Sequence, residues 1–411
     1  MKRVVVTGMG AISPLGLDTQ STWEALQAGK SGLGYITHFD ASGYDTRIAA
    51  EVKNFDPTLY VDRKEARRMD RYIQLAVGAT AQAMEQSGLK VDAHNADEIG
   101  VIVGSGIGGI VTLIDQYKVF VERGPSRVSP FLTTMMINNM AAGHIAIIHG
   151  LKGPNFAVVS ACATGAHAIG EAYHTIKRGD AVAMVAGGSE AAILPIGIAA
   201  FNATRALSTH NDEPMKASRP FDAHRDGFVL GEGGAVLVLE DYDYAVSRGA
   251  EPLAELVGYG ASCDASHVTA PAEGGAGAAR AMWRALKSAL LEPEAIDYIN
   301  AHGTSTQLND CTETEAIKSV FGPLAYKIPI SSIKSMTGHL LAAAGAIEAM
   351  ACIETIHRGV IAPTINYEHP DPRCDLDYVP NVSRRVKVKY AMSNSMGFGG
   401  HNASLILSAI S

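Results

Sequence analysis

One cysteine in a run of small residues is the strongest sign of chemistry in this sequence. Cys162 follows Ala157–Ser160, which predicts a short buried strand, and precedes a Gly- and Ala-rich stretch that predicts a tight turn into a helix. At a helix start, unpaired backbone N–H groups and the positive end of the helix dipole favour a thiolate. The pattern therefore predicts a lowered pKa and a nucleophile. These residues alone leave a buried structural cysteine open as the alternative.

Two histidines follow predicted strands in the second half of the chain. Asp297–Ala301 predicts a strand that leads to His302, and Ile328–Ile333 predicts another that leads through a polar stretch to His339. Because α/β sheets collect their sites at strand ends, both rings could converge on Cys162 in one cleft. Either histidine taken singly could instead be a hydrogen-bonded core residue.

A carboxylate and an ammonium group accompany the second histidine. Glu348 lies in an otherwise apolar predicted helix, and a buried carboxylate needs a cation or hydrogen-bond donors. Lys334 is its natural partner, although a surface charge is an equally good interpretation of that lysine alone. One cysteine, two histidines and one lysine, without a metal-binding motif, favour acyl transfer through a thioester over proteolysis.

The composition limits the classes of protein that can present these residues. The 411-residue chain is 47% hydrophobic and contains 42 glycines, which is typical of an α/β protein whose helices pack closely on buried strands. A net charge of −8 argues against nucleic acid and anionic membranes as general partners. Five scattered cysteines argue against a disulfide framework and a zinc site, and they indicate a reducing compartment, the cytoplasm.

Hydrophobic periodicity and turn residues predict the elements around the site. The first strand should cover Arg3–Val6, and a helix should begin with a capping box formed by Ser21 and Glu24. The other predictions are helices over 63–88, 132–150 and 241–248, strands over 99–103 and 181–186, and a pair of strands over 227–240.

Positive charge is concentrated at the start of the helix predicted over 63–88. Lys64, Arg67, Arg68 and Arg71 recur at helical spacing, so they should share one face. A solvated helix surface is the default interpretation of such a run. In an acidic protein, however, the clustering suggests a dock for an anionic partner.

A glycine-rich loop, GSGIGG over 104–109, follows the strand predicted over 99–103. It matches the dinucleotide-binding pattern G-x-G-x-x-G. The match is weak, because no acidic residue lies at the spacing that a ribose ligand requires. Close approach of the backbone to a ligand other than a nucleotide is the favoured interpretation.

The second half of the chain repeats part of the first at an offset of 180 residues. Seven residues between Ala163 and Gly179 recur between Ala343 and Gly359, which suggests an old duplication. We expect an N-terminal half, 1–250, with the cysteine and a C-terminal half, 251–411, with the two histidines. Because neither half covers its sheet alone, the prediction is one α/β body with five layers, α/β/α/β/α.

Taken together, these motifs resemble those of the β-ketoacyl-acyl-carrier-protein synthases of the thiolase superfamily, and more closely the bacterial synthase II type. The resemblance covers nearly the whole chain and implies a thiolase-like duplicated fold. The motifs that carry it are VVVTGMGAISPLG (4–16), SACATGAHAIG (160–170), RALST (205–209), ASRPFDAHRDGFVLGEGG (217–234), NAHGTST (300–306), SSIKSMTGHLLAAAGAIE (331–348) and NSMGFGGHN (394–402).

The resemblance implies an acyltransferase that elongates fatty acids. Cys162 would take an acyl chain from the phosphopantetheine thiol of an acyl carrier protein. A malonyl carrier protein would then lose CO₂, and its carbanion would attack the acyl-cysteine in a decarboxylative Claisen condensation that gives a 3-oxoacyl product. His302 and His339 would donate hydrogen bonds to the enolate oxygen. Lys334, paired with Glu348, would order His339 and favour the ionised thiol.

The resemblance also implies the surroundings of the reaction. The backbone N–H groups of Cys162 and Phe398 would form the oxyanion hole, and Phe398 would act as a gate that moves once the cysteine is acylated. Ile107 and Phe201 would bound the acyl pocket. The remaining implied contacts are Thr304 and Thr306 on the pantetheine and malonyl route, and Lys64, Arg67, Arg68, Arg127 and Arg205 in the dock for the carrier protein.

No cofactor is implied beyond the phosphopantetheine of the carrier protein. No metal ligand set is implied either, although relatives sometimes hold a monovalent cation at the positions of Asn300, Glu348, Ser393 and Asn394. The resemblance further implies a homodimer that binds neither nucleic acid nor membrane.

Some positions depart from the family pattern and leave alternatives open. Met396 stands where many members have Phe, His401 where Thr is usual, and 307–310 replaces a turn that contains Pro or Gly. These residues leave loop dynamics and chain-length preference undetermined. A polyketide-type ketosynthase would share all the reacting residues. The second histidine argues against a degradative thiolase, and Cys162 argues against a non-catalytic chain-length partner.

Overall fold

The computed structural model describes residues 2–410, and ten of the described strands belong to one mixed sheet. The order of strands in this sheet is β10-β9-β13-β14-β8-β1-β7-β6-β4-β5. The described strands are β1 (Val4–Ile12), β2 (Gly34–Tyr35), β3 (Ile48–Ala49), β4 (Ile99–Gly104), β5 (Asn155–Phe156), β6 (Ala183–Glu190), β7 (Gly233–Asp241), β8 (Ala254–Cys263), β9 (Tyr298–Asn300), β10 (Ile330–Ser331), β11 (Val360–Ile361), β12 (Arg384–Arg385), β13 (Tyr390–Gly397) and β14 (His401–Ser408).

The sheet consists of two sets of five strands with the same internal arrangement. The first set has the order β5-β4-β6-β7-β1, and the second has the order β10-β9-β13-β14-β8. In both sets the first two pairings are parallel and the last two are antiparallel. Strands β1 and β8 join the sets through the pairs Val5–Glu255 and Val6–Ala254. Such a repeated order is what duplication of one α/β unit produces.

Helices form three layers around the two sets of strands. The described helices are α1 (Thr19–Gln27), α2 (Arg63–Ala66), α3 (Arg71–Ser87), α4 (Ile110–Arg123), α5 (Leu132–Met136), α6 (Met140–His149), α7 (Thr164–Arg178), α8 (Pro195–Ala203), α9 (Pro214–Ala217), α10 (Tyr242–Ser247), α11 (Ala276–Ala289), α12 (Gln307–Phe321), α13 (Lys334–Thr337) and α14 (Ala344–Arg358). Helices α7 and α14 share one apolar cluster with side chains of both strand sets. Helices α3 and α6 cover the outer face of the first set, and α11 and α12 cover that of the second.

The alternation of side chains along the strands explains this layering. In β7, Leu237 packs in the central cluster, whereas Val236 and Val238 pack against α3 on the opposite face. Strands buried on both faces are apolar at successive positions, as a central α/β sheet requires. The layers are therefore α/β/α/β/α, as predicted. Among residues 2–410, no helix combines the length and the apolar character needed to cross a membrane.

The single helix predicted over 63–88 is wrong, because the chain breaks between α2 and α3. Asp70 caps α3 by accepting a hydrogen bond from the Tyr72 N–H at 3.3 Å. Its other carboxylate oxygen accepts from the N–H and the hydroxyl of Thr112, at 2.8 and 2.7 Å. The break thus lets one buried carboxylate join the starts of α3 and α4.

The single helix predicted over 132–150 is also wrong. Residues 137–139 separate α5 from α6, and the freed polar groups hold neighbouring segments. The Tyr72 hydroxyl donates to the Ile137 carbonyl at 2.6 Å, and the Asn138 amide donates to the Ser105 carbonyl at 2.6 Å. Tertiary contacts therefore override the continuous helical pattern.

Four smaller predictions also need correction. The strand near the cysteine is β5 rather than Ala157–Ser160, and its residues are exposed. Helix α1 is capped by Asp18, which accepts from the Ser21 N–H at 2.7 Å, so Ser21 is not the cap. The stretch 227–240 contains one regular strand, β7, because residues 227–232 make only isolated bridges to other segments. The first strand extends beyond Arg3–Val6 to Ile12.

Candidate active site

Cys162 lies in a tight turn at the start of α7, as the small residues around it predicted. The turn is a 3₁₀ segment, Ala161–Ala163, and Ala161 adopts a left-handed conformation with φ of 49°. Leu341 has the same conformation, with φ of 47°, in the corresponding turn before α14. Such backbone strain at a residue with a side chain persists where the surrounding structure fixes it.

Burial dominates the protonation of this cysteine. Only 8% of Cys162 is exposed, and burial raises the pKa of its thiol to about 12. The charge of Lys334 and a hydrogen bond from the Phe398 N–H lower the pKa, but by less than burial raises it. The predicted net lowering of the pKa is therefore wrong for the free protein, since the helix start supplies donors without overcoming desolvation.

His302 follows β9 and is held on both sides. Its backbone N–H and that of Gly303 each donate to the Glu313 carboxylate at 2.8 Å. Its Nδ1 lies 3.3 Å from the Nζ of Lys334. A lysine ammonium can only donate, so Nδ1 accepts and the ring proton resides on Nε2.

His339 has the same tautomer for a different reason. The backbone N–H of Leu341 donates to its Nδ1 at 3.3 Å, which leaves the proton on Nε2. The two imidazole rings are 5.4 Å apart between centroids and nearly perpendicular. Burial, together with the charge of Lys334, lowers the pKa of both His302 and His339 well below the usual range. Both rings are therefore neutral hydrogen-bond donors at pH 7.

Lys334 and Glu348 form a buried ion pair between α13 and α14. Burial nevertheless raises the pKa of Glu348 to about 7, against the opposing effect of Lys334. The lysine contacts His302 rather than His339, so its predicted ordering of His339 is not what this geometry provides. It instead fixes the tautomer of His302.

One cavity of about 380 Å³ brings the predicted reacting groups together. Its wall includes Cys162, His302, His339 and Phe398. The other predicted site residues in the wall are Phe201, Thr304, Thr306 and Arg205. The hydroxyl oxygens of the two threonines are 3.0 Å apart. Side chains from both halves of the chain thus meet around one space.

The hairpin loop between β13 and β14 carries Phe398 to the cysteine. A side chain on Gly397 would approach the Ser160 carbonyl oxygen to 2.6 Å and the Cys162 backbone nitrogen to 3.2 Å. Gly399 and Gly400 have φ of 88° and 75°, where glycine is unstrained. The absence of side chains at these glycines lets the loop pack directly on the turn that holds Cys162.

Other predicted site residues lie outside this cavity. Ile107 is 36% exposed and does not line the cavity wall. The guanidinium of Arg68 stacks on the Phe131 ring at 4.5 Å. Arg71, predicted to share the face of Lys64, is paired instead with the buried carboxylate of Glu232 at 2.7 Å. The predicted four-residue basic face is therefore wrong at Arg71.

Glu190 is a buried residue near the cysteine that the sequence interpretation missed. Its carboxylate accepts from the Ser105 hydroxyl at 2.7 Å, from the Gly106 N–H at 2.9 Å and from the Ile107 N–H at 3.2 Å. These are the loop donors that a nucleotide phosphate would need, so the carboxylate argues against a nucleotide. A carboxylate two residues after the strand glycines Gly187 and Gly188 was the available signal.

Several buried oxygen atoms beside the ion pair have no hydrogen-bond partner among the described residues. They are Asn300 Oδ1, Glu348 Oε2, Ser393 Oγ and Ser395 Oγ. Asn300 and Ser393 are direct neighbours in the parallel pair of β9 and β13. Asn394 belongs to the opposite face, where its Oδ1 accepts from the Ser404 hydroxyl at 2.8 Å. Buried oxygens without donors are what a cation would satisfy.

Comparisons with known proteins identify the family. The model of the beta-ketoacyl synthase N-terminal domain matches residues 1–245, and that of the C-terminal domain matches residues 253–368. A 3-oxoacyl-[acyl-carrier-protein] synthase 2 from Synechocystis sp. is 54% identical over 404 residues, which cover 98% of this chain and 97% of the relative. The chain belongs to the beta-ketoacyl synthase family, a family of condensing acyltransferases.

Solved structures agree with this assignment. A beta-ketoacyl synthase from Burkholderia phymatum superposes with a TM-score of 0.93 at 40% identity, over the full length of both chains. A ketosynthase in complex with its type II PKS acyl-carrier protein, bound to the hexaketide, gives a TM-score of 0.91 at 35% identity, again over both full chains. The predicted family resemblance, thiolase-like fold and enzyme class are confirmed.

Proposed function

We propose that this chain is a 3-oxoacyl-[acyl-carrier-protein] synthase of the synthase II type. It would join an acyl chain held on Cys162 with malonyl carrier protein, giving 3-oxoacyl carrier protein and CO₂ in fatty-acid elongation. The observation that carries the proposal is the single cavity that holds Cys162, His302 and His339. The identity of 54% with a curated synthase 2 supports the same substrates.

The first step is acyl transfer to the cysteine. The sulfur of Cys162 forms a bond to the thioester carbonyl, the bond to the pantetheine sulfur breaks, and the thiol proton passes to the leaving sulfur. The backbone N–H groups of Cys162 and Phe398 are the donors for the developing oxyanion. The hydrogen bond from the Phe398 N–H to the sulfur supports this assignment.

The second step is decarboxylation and condensation. As the malonyl group loses CO₂, negative charge develops on its thioester oxygen, and two neutral Nε2–H groups from His302 and His339 would bind that oxygen. The carbanion then forms a carbon–carbon bond to the acyl group, and the bond to the Cys162 sulfur breaks. Neutral donors in a water-poor cavity stabilise an enolate without first losing a proton.

Positively charged residues at the cavity wall and beyond it are the proposed dock for the carrier protein. Lys64 and Arg67 are exposed beside Arg68 in and after α2, and Arg205 lies at the cavity wall. An acidic carrier would be steered by such charge. Arg127 is proposed to extend the dock, and Thr304 and Thr306 to line the pantetheine route.

The acyl chain is proposed to run along the apolar side of the cavity. Phe201 packs edge-on against Phe228, with 5.4 Å between the ring centroids. Phe228 packs in the same way against His339, with 5.3 Å between the ring centroids. Ile107 stays a predicted boundary of this pocket. Phe398, in its glycine-flanked loop, is the proposed gate.

We also propose that each chain consists of two halves that meet at about residue 250. A second proposal is that two copies of the chain form a homodimer. Strand β5 is an open edge of the large sheet, and its Phe156 is 44% exposed, with Ile147 77% exposed in the preceding helix. An apolar open edge favours pairing with a second copy of the chain. Sedimentation analysis should give a dimer, and Phe156→Asp should shift it towards monomer.

A monovalent cation is proposed beside the ion pair. Asn300, Glu348 and Ser393 would supply its oxygen ligands, and Ser395 fits better than Asn394, whose oxygen already has a donor. The cation would neutralise the second carboxylate oxygen of Glu348. Replacing K⁺ and Na⁺ with tetramethylammonium should lower the melting temperature, whereas Ser395→Ala should abolish that ion dependence.

Free cysteines and carrier-bound substrates suit a cytoplasmic location, which we also propose.

The experiment that tests the function separates the two steps. Purified protein with acyl and malonyl carrier proteins should release CO₂ and form a 3-oxoacyl product. Cys162→Ala should form no acyl-enzyme, whereas His302→Ala should still be acylated but condense about 10²–10³-fold more slowly. Cys263→Ser, at an exposed cysteine, is the matched control. Normal condensation by His302→Ala would contradict the mechanism.

A polyketide-type ketosynthase is the second candidate, because the carrier-bound structural relative acts in a type II PKS. Repeated condensation to a poly-3-oxo product would support it over a single elongation. A chain that never forms an acyl-enzyme would instead indicate a chain-length partner.

A further inference from the structure

Two cysteines, Cys311 and Cys374, lie close together behind the wall of the cavity. The sulfur atoms of Cys311 and Cys374 are 3.7 Å apart, and neither takes part in the reaction proposed above. Cys311 belongs to α12, whose first residues line the cavity, and Cys374 is fully buried in the segment 371–378. Because a disulfide needs a separation of about 2 Å, a small approach of the two sulfurs would close one.

The sulfur of Cys311 has a cation as its nearest polar neighbour, with an oxygen of Asp371 further away at 4.0 Å. The Nη2 of Arg225 donates to Cys311 Sγ at 3.0 Å, and its Nη1 donates to Asp371 at 2.9 Å. Cys311 is partly exposed, whereas Cys374 is not. Reactive cysteines are partly exposed and lie next to cations, and a redox pair adds a second thiol within reach.

Metal binding is the competing interpretation of the same cluster. One ligand atom each from Cys311, Asp371 and Cys374 lies within 4.8 Å of the others. However, the Arg225 guanidinium already donates to two of these three groups. A metal cation there would face a buried positive charge, so the cluster suits redox chemistry better than coordination.

We propose that Cys311 and Cys374 form a redox-sensitive dithiol that hydrogen peroxide converts to a disulfide. The Cys311 sulfur attacks one peroxide oxygen and the O–O bond breaks. This step forms a sulfenic acid on Cys311 and releases one molecule of water. The Cys374 sulfur then attacks the Cys311 sulfur, the S–O bond breaks, and a second water leaves. The two thiols lose two electrons, which reduce the peroxide to water. A thiol reductant reverses the step.

The disulfide is coupled to the cavity through Arg225. Its Nε donates to the Thr306 carbonyl at 3.0 Å, and its Nη2 donates to the Gln307 carbonyl at 3.1 Å as well as to Cys311. Drawing the Cys311 sulfur towards Cys374 removes one anchor of this guanidinium. Oxidation therefore changes the wall next to the predicted pantetheine route, while the proposed reacting groups stay intact.

Peptide mapping in the Cys162→Ala background tests the proposal without relying on activity. The full-length variant is treated with hydrogen peroxide, alkylated under denaturing conditions, digested and analysed by mass spectrometry. The expected result is one linked peptide, Cys311 to Cys374, that has lost two hydrogen atoms and separates on reduction. Cys263 and Cys352 should remain single, and Cys263→Ser should leave the link unchanged.

Three results would overturn the proposal: no linked peptide when exposed Cys263 is already oxidised, a link through a different cysteine, or zinc retained by the purified protein that blocks oxidation of both thiols. Cys311→Ser should remove the link and should retain activity before oxidation. With Cys162 intact, peroxide should then inhibit the wild type several-fold more than Cys311→Ser. If the link forms but neither protein condenses substrates, the proposed function fails and the dithiol stands.

Discussion

At the scale of single residues, surroundings rather than residue type decide what each group does. His302 and His339 are both neutral, and both carry the proton on Nε2, although one is fixed by a lysine and the other by a backbone N–H. Cys162 is a thiol rather than a thiolate in the free protein because burial dominates. The cavity therefore offers neutral hydrogen-bond donors and a protonated sulfur.

The reactivity of Cys162 should report its raised pKa. With a pKa of about 12, the thiolate fraction increases about tenfold per pH unit over the neutral range. Alkylation of Cys162 by iodoacetamide, followed by mass spectrometry from pH 6 to 9, should rise with that slope. Cys162→Ala identifies labelling at other cysteines. A plateau near pH 7 would instead indicate a preformed thiolate.

Lys334 should matter both for stability and for the tautomer of His302. Lys334→Met leaves the Glu348 carboxylate buried without a cation and should cost about 3–5 kcal/mol in the free energy of unfolding. The double variant Lys334→Met/Glu348→Met should recover much of that loss in urea titrations. Both variants should condense slowly, and the imidazole ¹⁵N shifts of His302 should show a mixture of tautomers. Full activity of the double variant would show that the lysine serves stability alone.

At the scale of elements, the sequence predicts the strands that lead to His302 and Lys334 but not where helices break. The strands before His302 and Lys334 are present, because runs of apolar residues followed by polar ones are local signals. The break at Asp70 depends on Thr112, and the break after α5 depends on Tyr72 and Ser105. None of these three partners is near the break in sequence, so helical periodicity continues through both breaks.

The distinction between local sequence signals and contacts with distant residues also applies to the site. Cys162, His302 and His339 could be predicted from motifs, and they do share one cavity. Glu190 could not be predicted with the same ease, because its role depends on three donors some 85 residues earlier in the chain. The pKa of Cys162 was predicted in the wrong direction because local sequence shows the helix start but not the burial.

The loop of Phe398 should tolerate no side chain at Gly397. Gly397→Ala would bring a methyl group within 2.6 Å of the Ser160 carbonyl, so the loop must move away from the Cys162 turn. Loss of the Phe398 donor should reduce acyl transfer about 10²–10³-fold. Gly43→Ala, with no atom within 4 Å of the added carbon, is the control. If single-turnover acylation is unchanged in Gly397→Ala, the Phe398 N–H is not a donor in the oxyanion hole.

Glu190 should make stability depend on pH. Burial raises its pKa to about 7 from a usual value of 4.5, so the folded protein binds this proton more tightly than the unfolded chain does. The free energy of unfolding should therefore fall as pH rises from about 5 to 7.5. Glu190→Gln should reduce that fall by about 2–3 kcal/mol in urea titrations at each pH. If the free energy of unfolding falls equally with pH in Glu190→Gln and in Glu294→Gln, where the residue is exposed, Glu190 is not the group that titrates.

At the scale of the whole molecule, the site exists because the two sets of five strands pack on the same pair of helices, α7 and α14. Cys162 precedes α7 of one half, and His339 precedes α14 of the other, with each helix entered through the same strained turn. The close packing of α7 against α14 therefore places the turn of Cys162 beside the turn that follows His339. Neither half contains a complete site.

Two glycines that are 180 residues apart set this contact, and their substitution should destabilise the whole molecule. A side chain on Gly165 would approach the Ala342 carbonyl to 2.6 Å, and one on Gly345 would approach the Ala166 nitrogen to 2.7 Å. Gly165→Ala and Gly345→Ala should each lower the free energy of unfolding by about 1–3 kcal/mol. Gly143→Ala in α6, where the nearest atom is 3.8 Å away, should instead raise it by up to about 1 kcal/mol. Urea titration measures all three, and equal values would mean that α7 and α14 can separate without cost.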